Sequence, residues 1–510
     1  MALDISRQTV SMTQPILDSF LEQGVECDMI LPDYCPDVVK ILKCSVTPVI
    51  LSAQLSGSRL QAEGNAAVRL YYLSEDGALH CYEQKYPFEK TAELREMPVR
   101  PVIEAEAVLD YVNCRAMSRR RVDVRGAVTV HLKVLGQKEQ SIVSGAEGMG
   151  ICLKNISVPV TRLAGSARRL FTVREELEPV PGHPQVETIL HTFGCAALNE
   201  IRVIPGKIIA KGELRLQILY RPVSDGGKVL PETMEYRLPI SQIMDVEGAQ
   251  EQSICQVSFW PSDLSVTLKN EGSDEDEKLS LTAQIFAKAL VWSDQTLTLT
   301  EDCYSTGYAC DHTAVSLELS QMLSALEERR QQKMTIELPE EAAGEILALW
   351  AQTEDCGMDE DGKELISKLT LHLIACDGEG TPLYFERPLE LRLPVLLQEE
   401  TLLDPAAQLE GISYVRSGEK LEVTCEMRFT GRKCIGRSIG AVTEIMVDET
   451  RPNPERSAAL TIFFGKKGES VWEIARQYNT SMEAVMEENA LMDEVLEENR
   501  MLMIPMISAH

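Results

Sequence analysis

Residues 59–72 read Arg-Leu-Gln-Ala-Glu-Gly-Asn-Ala-Ala-Val-Arg-Leu-Tyr-Tyr. Leu60, Ala62, Gly64, Val68 and Leu70 fall on one side of a period of two, and Arg59, Gln61, Glu63, Asn65 and Arg69 fall on the other. That alternation predicts a β-strand with one face in a core and one in water. The stretch also recurs. Ala62-x-Gly64 with Val68, Leu70 and Tyr72 returns 148 residues later as Ala210-x-Gly212 with Leu216, Ile218 and Tyr220. At the same spacing Pro36-x-Val38-x-x-Ile41-Leu42 returns as Pro184-x-Val186-x-x-Ile189-Leu190, and no gap is needed. A more diverged third copy opens at Leu338-Pro339, echoing Leu31-Pro32, and reaches Leu369, Leu371 and Leu373 without the Ala-x-Gly pair.

Two further signatures tie the copies together. The first is E-x-[KR]-x-P before an apolar residue, found at Glu83 to Phe88, Glu235 to Ile240 and Glu390 to Val395. The second is alternation about a small residue: Val122, Val124, Gly126, Val128, Val130; then Leu279, Leu281, Ala283, Ile285, Ala287; then Leu421, Val423, Cys425, Met427, Phe429. Asp76-Gly77, Asp225-Gly226 and Asp377-Gly378 are hairpin turn signals between such strands. Each copy is therefore expected to be a β-sandwich of roughly 100–120 residues. The proline of the first signature donates no hydrogen bond and belongs at a strand end or an edge. The small residue of the second is expected to mark a close approach of the two sheets, and Pro36 to Leu42 to form a short helix, with Val38, Ile41 and Leu42 on one face.

The resulting fold class is mainly β: tandem antiparallel β-sandwich-like repeats with a small C-terminal βααβ module. The divisions are an N-terminal segment (1–26), repeats at 27–135, 172–293 and 333–432, connectors at 136–171 and 294–332, a linker (433–458) and the module (459–507). The connectors show no clear pattern and could add strands to the neighbouring sandwiches. Asp448-Glu-Thr-Arg-Pro-Asn-Pro-Glu455 reads as polar, proline-bearing linker.

Length and charge bound the function. At 510 residues the chain is long enough for about three to five domains. Its 50 lysines and arginines against 79 acidic residues leave a formal net charge of −29. So acidic a chain is repelled by phosphate backbones and anionic lipid, which argues against nucleic-acid and membrane partners. Met1 to Glu22 carries only Arg7 as a base and no apolar block, so no secretory signal is expected, and no stretch reaches the roughly 18 apolar residues of a membrane span. The fourteen cysteines contain no C-x-x-C and read as buried thiols in the reducing cytoplasm.

No motif supplies catalysis or a cofactor. Gly436-Arg-Ser-Ile-Gly440 fits G-x-S-x-G, but a nucleophile elbow needs a strand–turn–helix inside an α/β sheet. The histidines show no H-E-x-x-H or other ligand spacing. Glu271 to Glu277 and Asp359 to Gly362 complete no calcium loop and read as hairpin tips, and Gly145 to Gly150 is a loop rather than a P-loop. The chain is expected not to be an enzyme.

In the C-terminal module Leu460, Ile462 and Phe464 alternate as a strand and Gly468 turns the chain. Ser470-Val-Trp-Glu473 and Thr480-Ser-Met-Glu483 are capping boxes opening two helices. Val471, Ile474, Ala475 and Tyr478 lie on the inner face of the first, and Leu502 and Ile504 form a return strand before Pro505. The run Gly468-Glu-Ser-Val-Trp-Glu-Ile-Ala-Arg-Gln-Tyr-Asn-Thr480 and the terminal Met501-Leu-Met-Ile-Pro505 resemble a LysM domain. That resemblance implies a shallow groove for N-acetylglucosamine polymers, formed by Gly468, Glu469, Ser470 and Val471 opposite Leu491 and Met492. Glu469 stands where the family has Asp, Glu498-Asn499 where it has Pro-Gly, and residues 493–498 are strongly acidic, so glycan and protein ligands both stay open. Trp472 could stack a sugar or pack the module's own core.

Ile30-Leu-Pro-Asp-Tyr-Cys-Pro-Asp-Val-Val-Lys-Ile-Leu42, the repeats and a single C-terminal LysM together resemble the SPOCS-domain, SipL-like family of clostridial spore-coat proteins. The resemblance implies a non-enzymatic morphogenetic scaffold in the mother-cell cytoplasm, at the forespore surface. It would join the coat to that surface by binding the ATPase that polymerises as the coat's basement layer. The alternative is a protein that binds peptidoglycan through its LysM, with the β-domains as spacers.

Overall fold

The computed structural model describes residues 3–224, 229–269, 278–454 and 460–506. Three units follow one plan. The first contains β1 (Asp4–Ile30), β2 (Lys40–Ser56), β3 (Arg59–Leu73), β4 (Leu79–Glu93), β5 (Val99–Ser118) and β6 (Arg121–Glu147). The second contains β7 (Ile151–Leu177), β8 (Val186–Ile204), β9 (Lys207–Pro222), β10 (Glu232–Asp245), β11 (Ile254–Lys269) and β12 (Lys278–Ser305). The third contains β13 (Tyr308–Glu337), β14 (Ile346–Met358), β15 (Glu364–Cys376), β16 (Pro382–Pro394), β17 (Thr401–Ser417) and β18 (Lys420–Pro452). The C-terminal module is β19 (Leu460–Gly465), α1 (Val471–Gln477), α2 (Met482–Glu488) and β20 (Arg500–Pro505).

In every unit strands two, three and four form one antiparallel sheet, and strands one, six and five form the other. The alternating apolar residues read from the sequence meet between them. In the first unit Leu60, Ala62, Val68 and Leu70 of β3 pack with Val122, Val124, Val128 and Val130 of β6. The repeated Pro and Tyr have a common purpose: the Tyr72 hydroxyl donates to the Pro36 carbonyl at 3.2 Å, and Tyr220 to Pro184 at 3.3 Å. Pro87, Pro239 and Pro394 lie on β4, β10 and β16, each the edge strand of its sheet, as a residue without an N–H requires. Asp76-Gly77 and Asp377-Gly378 turn their hairpins, whereas Asp225-Gly226 and Glu271 to Glu277 lie outside the described residues.

Several expectations are corrected. Pro36 to Leu42 is not helical: Val38 N–H donates to the Arg119 carbonyl at 2.7 Å, Val39 N–H to the Leu73 carbonyl at 2.9 Å, and β2 begins at Lys40. These bonds to other strands consume the donors that a helix would use internally, and Val38, Val39 and Ile41 are β-branched. Gly126 marks no approach of one sheet to the other. A Cβ there would stand 2.5 Å from the Tyr111 carbonyl of its own sheet, where β5 bulges between Leu109 and Tyr111. Gly64 and Gly212 likewise face the bulges of β2 and β8, with carbonyl oxygens 2.6 and 2.2 Å from the missing Cβ. The unpatterned stretches 136–171 and 294–332 are strand except at their short turns, and Asp448 to Pro452 continues β18. The six-strand units thus extend into stretches that the repeat boundaries set apart.

Those extensions hold the units together. Beyond each sandwich, strands one and six continue as a two-stranded ribbon, and the three ribbons pack on one another. Val10 and Ile142 of the first unit, Val158, Val160 and Leu299 of the second, and Leu317, Leu319 and Ala441 of the third share one core. A second shared core joins Tyr71, Leu219 and Ile374, one from each short sheet, with Phe193 stacked on Trp350 at 4.3 Å between ring centres. Polar groups around the buried Glu410 bridge units two and three. The Glu410 carboxylate accepts from Leu198 N–H at 3.2 Å and Arg329 Nε at 3.0 Å, and Gln408 donates to the Ala196 carbonyl at 3.0 Å.

Because the ribbons share a core, Leu317→Ala should cost about 2–5 kcal/mol and lower the denaturation midpoint of the whole chain. An unchanged midpoint in denaturant melts of the full protein would show that the ribbons add no stability. A second prediction concerns acid. Burial pushes the His372 imidazole from its ordinary 6.5 down to about 4, and holds His191 well below the ordinary value at the same junction. A histidine so depressed binds protons more readily in the unfolded chain, so stability is intact above pH 6.5 and falls as pH drops toward 4, by up to about 1.4 kcal/mol per pH unit per proton. Denaturant melts at pH 7 and pH 5 should show the loss, and His372→Gln should reduce it.

Candidate functional site

The C-terminal module carries all six residues expected to form a groove. Its core is Val471, Ile474, Ala475, Val485, Leu502 and Ile504, the apolar faces of both helices against the inner face of β19 and β20. Asn489, at the end of α2, ties that helix to the sheet: its amide donates to the Met503 carbonyl at 2.7 Å, and its Oδ1 accepts from Met503 N–H at 2.7 Å. The helix starts differ from the capping boxes. Ser470 stands at the N-cap of α1 but makes no side-chain cap, and α2 is capped by Ser481, which accepts from Ala484 N–H at 3.2 Å. Thr480 is recruited elsewhere, donating to the Pro505 carbonyl at 2.9 Å.

Gly468, Glu469, Ser470 and Val471 form one segment leading into α1, and Gly468 turns at φ +89°. Their backbone is taken up by the acidic loop. Val471 N–H donates to the Glu494 carbonyl at 2.8 Å, Leu496 N–H to Glu469 at 3.0 Å and Gly468 N–H to Leu496 at 2.8 Å, with Ser470 bridged to Val495. The Glu469 carboxylate accepts from Lys466 N–H at 2.9 Å. Val471 is fully buried, Leu491 is half-buried with its N–H bonded to the Met486 carbonyl, and Met492 is exposed. The six positions therefore hold no aromatic face, and the strand-like pairing with Glu494 to Leu496 is a feature that the sequence did not signal.

Trp472 has a definite place. It is 2 % exposed, its indole N–H donates to Asp302 Oδ2 at 2.8 Å, and its ring meets Tyr304 edge-on at 4.7 Å. Arg476 Nη1 donates to the same carboxylate oxygen at 2.9 Å, and Tyr304 donates to the Thr480 carbonyl at 2.7 Å. Burial pushes the Tyr304 phenol up, so it remains a neutral donor. Asp302 and Tyr304 belong to β12, which means that the module is docked on the end of the second unit's ribbon. Trp472 is therefore an anchor of the module and presents no face to a sugar.

Among the described residues nothing covers the opposite side of the module. Leu460, Ile462 and Phe464 of β19 and Met501 and Met503 of β20 all point away from the helices and are exposed, Phe464 by 74 %. The register sets Ile462 beside Met503 and Phe464 beside Met501, so the five make one continuous apolar strip. Lys466 and Lys467 are exposed at its Phe464 end. Contiguous exposed apolar surface is found at protein, membrane and ligand contact sites.

A cavity of about 420 Å³ lies between the three units, and Glu83, Lys85, Glu235 and Arg237 of the first repeated signature are among the residues that line it. Its charged walls are largely internally paired: Arg69 to Glu83, Lys85 to Asp263 at 2.6 Å, and Arg215 to Glu426 at 2.5 Å. The last two cross between units. Among the described residues, no group of three or more His, Cys, Asp or Glu could hold a metal ion. No helix among them is long and apolar enough to cross a membrane. Ser438 of the G-x-S-x-G stretch lies in β18, bonded to Ser316 at 2.7 Å, so it sits on no nucleophile elbow.

Compared with known families, residues 37–117 and 185–269 match the SipL, SPOCS domain model, and residues 466–505 match the LysM domain model. The first two segments are β2 to β5 of unit one and β8 to β11 of unit two. The matches agree with the SPOCS-plus-LysM family that the sequence resembles. Unit three has the same strand order outside the matched segments. No curated protein and no solved structure matches the chain.

The docking geometry makes a prediction. Asp302→Ala removes the acceptor shared by Trp472 and Arg476, a charge-assisted contact worth about 1.5–3 kcal/mol, and should expose the indole. A red shift in Trp472 fluorescence, read in a chain whose other three tryptophans are replaced by phenylalanine, is the expected result. An unshifted spectrum would show that the contact is not needed to hold the module.

Proposed function

We propose that this chain of SPOCS and LysM domains is a non-enzymatic scaffold in spore-coat assembly, linking the coat's basement layer to the forespore surface through protein–protein contacts. Its domain content fits a sporulation-related protein, and neither domain belongs to an enzymatic family. The observation that carries the reading is the apolar strip of Leu460, Ile462, Phe464, Met501 and Met503, which no other described residue covers, while the module's tryptophan is taken up by internal docking. A partner buried there gains about 25 cal/mol for each Å² of apolar surface removed from water. By the family resemblance the partner is the ATPase that polymerises as the basement layer. The three locked units would hold the module at a fixed place on a rigid body.

The LysM match also supports a second reading, attachment to peptidoglycan through the segment from Gly468 to Val471 and the loop after α2, including Leu491 and Met492. One experiment separates the two. Full-length protein, wild type and Phe464→Ser, is passed over immobilised coat ATPase and over purified peptidoglycan. Loss of a central apolar anchor costs about 2 kcal/mol or more, so ATPase capture should fall about 30-fold or more, with no retention on glycan by either protein. Equal capture by both proteins, or retention on peptidoglycan alone, would overturn the scaffold reading.

A further inference from the structure

The two edges of the module's small sheet differ. On β20 the outward-facing backbone groups are taken up by side chains. Asn489 Oδ1 accepts from Met503 N–H and its amide donates to the Met503 carbonyl, both at 2.7 Å, while Thr480 Oγ1 donates to the Pro505 carbonyl at 2.9 Å. In an antiparallel ladder, directly opposed residues alternate between pairs that bond each other and pairs whose N–H and C=O turn away from each other. Met503 has both groups engaged away from β19, so Ile462 opposite it turns its own N–H and C=O away from β20. The alternation gives Leu460, opposite Pro505, and Phe464, opposite Met501, the same direction. Among the described residues nothing bonds these outward groups of β19. The open edge ends at Lys466, whose N–H is bonded to the Glu469 carboxylate at 2.9 Å.

Edge and strip are made by the same residues. Leu460, Ile462 and Phe464 carry the free backbone groups and also expose their side chains, alongside Met503 and Met501. A strand added there sets the residue opposite Ile462 in a bonded pair and places that residue's side chain on the strip.

We propose that β19 is a strand-addition site. Its partner docks as an extended segment that pairs with Leu460 to Phe464, with apolar side chains at alternate positions and an acidic residue at the end beside Lys466 and Lys467. This rests on the scaffold reading, in which the strip meets the coat ATPase, and adds the mode of contact and the pattern of the segment. An unpaired strand edge templates such pairing, main-chain bonds supplying affinity and alternate side chains specificity. The two lysines are exposed and in no ion pair among the described residues, so they favour a carboxylate on the incoming strand. An amphipathic helix could cover the strip, but its backbone groups bond one another and leave the edge of β19 unsatisfied.

The test uses the full-length protein and immobilised coat ATPase, with position 462 changed in two ways. Ile462→Ala trims the apolar contact and keeps the N–H. Ile462→Pro keeps more apolar surface but removes that N–H and puts a ring in the path of an incoming strand. Because the N–H faces away from β20, the module's own ladder stays whole. Capture by Ile462→Pro should fall about tenfold or more below capture by Ile462→Ala, with the emission of Trp472 unchanged in both. Lys466→Glu with Lys467→Glu should weaken capture and its salt dependence together. Amide hydrogen exchange on the wild-type chain needs no variant, and it decides if Ile462→Pro disturbs the module: bound ATPase should slow exchange at Ile462 and Phe464. Capture by Ile462→Pro equal to or above that by Ile462→Ala, or exchange at those amides that is not slowed in the bound chain, would overturn strand addition. The scaffold reading survives that result so long as Phe464→Ser still loses capture. Unchanged capture by the lysine variant would overturn the acidic end of the segment, and equal capture by wild type and Phe464→Ser would overturn both the scaffold reading and strand addition.

Discussion

The pairing of the first strand of each unit with its last determines most of this architecture. β1 and β6, β7 and β12, and β13 and β18 run antiparallel over nearly their whole lengths, the last from Tyr308 beside Pro452 to Glu337 beside Lys420. One half of each pair closes a sandwich, as where Val25, Cys27 and Met29 pack under β3, and the other half leaves it as a ribbon. A lone two-stranded ribbon is marginal in water. It persists here because three ribbons bury one another's apolar sides around Val10, Val160 and Leu319. Closing the domain and joining the domains are thus the work of the same strands, so neither can loosen without the other.

That constraint also explains where the C-terminal module rests. β12 carries its ribbon to Ser305, and its final residues present Asp302 and Tyr304 at the tip. Trp472 and Arg476 leave α1 on one side at helical spacing, so a single carboxylate can receive both. The module is held by this contact of its helices, leaving the sheet of β19 and β20 turned outward. A LysM fold that used Trp472 for a sugar would have to give up its hold on the second unit.

How much of this was legible follows from where each residue's partner lies. The sandwich cores could be read because Leu60 to Leu70 and Val122 to Val130 declare their alternation within one strand, and the repeats at Pro184 and Leu338 multiply the signal. The hairpin at Asp76-Gly77 and the edge prolines were legible for the same local reason. The ribbons were not, since Ile156, Val158 and Val160, or Val315, Leu317 and Leu319, alternate over only three steps and find their partners more than a hundred residues away. Pro36 to Leu42 has helical spacing, yet it lost to backbone bonds from Arg119 and Leu73 that no local window contains. Gly126 was recognised as a place of close approach, but the approaching atom is the Tyr111 carbonyl, because a bulge cannot be seen from the strand facing it.

The site shows the same limit. The segment from Gly468 to Val471 could be named from the turn and the helix start, but its pairing with Glu494 to Leu496 depends on a loop whose acidic run hides any pattern. Trp472 stood between two readings because its deciding partner, Asp302, lies 170 residues upstream. The apolar strip, by contrast, was written openly in Leu460, Ile462 and Phe464. Alternation alone cannot distinguish a strand's buried face from one kept for a partner. In β19 the helices cover Phe463 and leave its neighbours exposed. A two-stranded sheet with helices on one side has a single core-facing side, so the three larger apolar steps must face outward. Left exposed among the described residues, they are the surface on which the proposed partner contact rests.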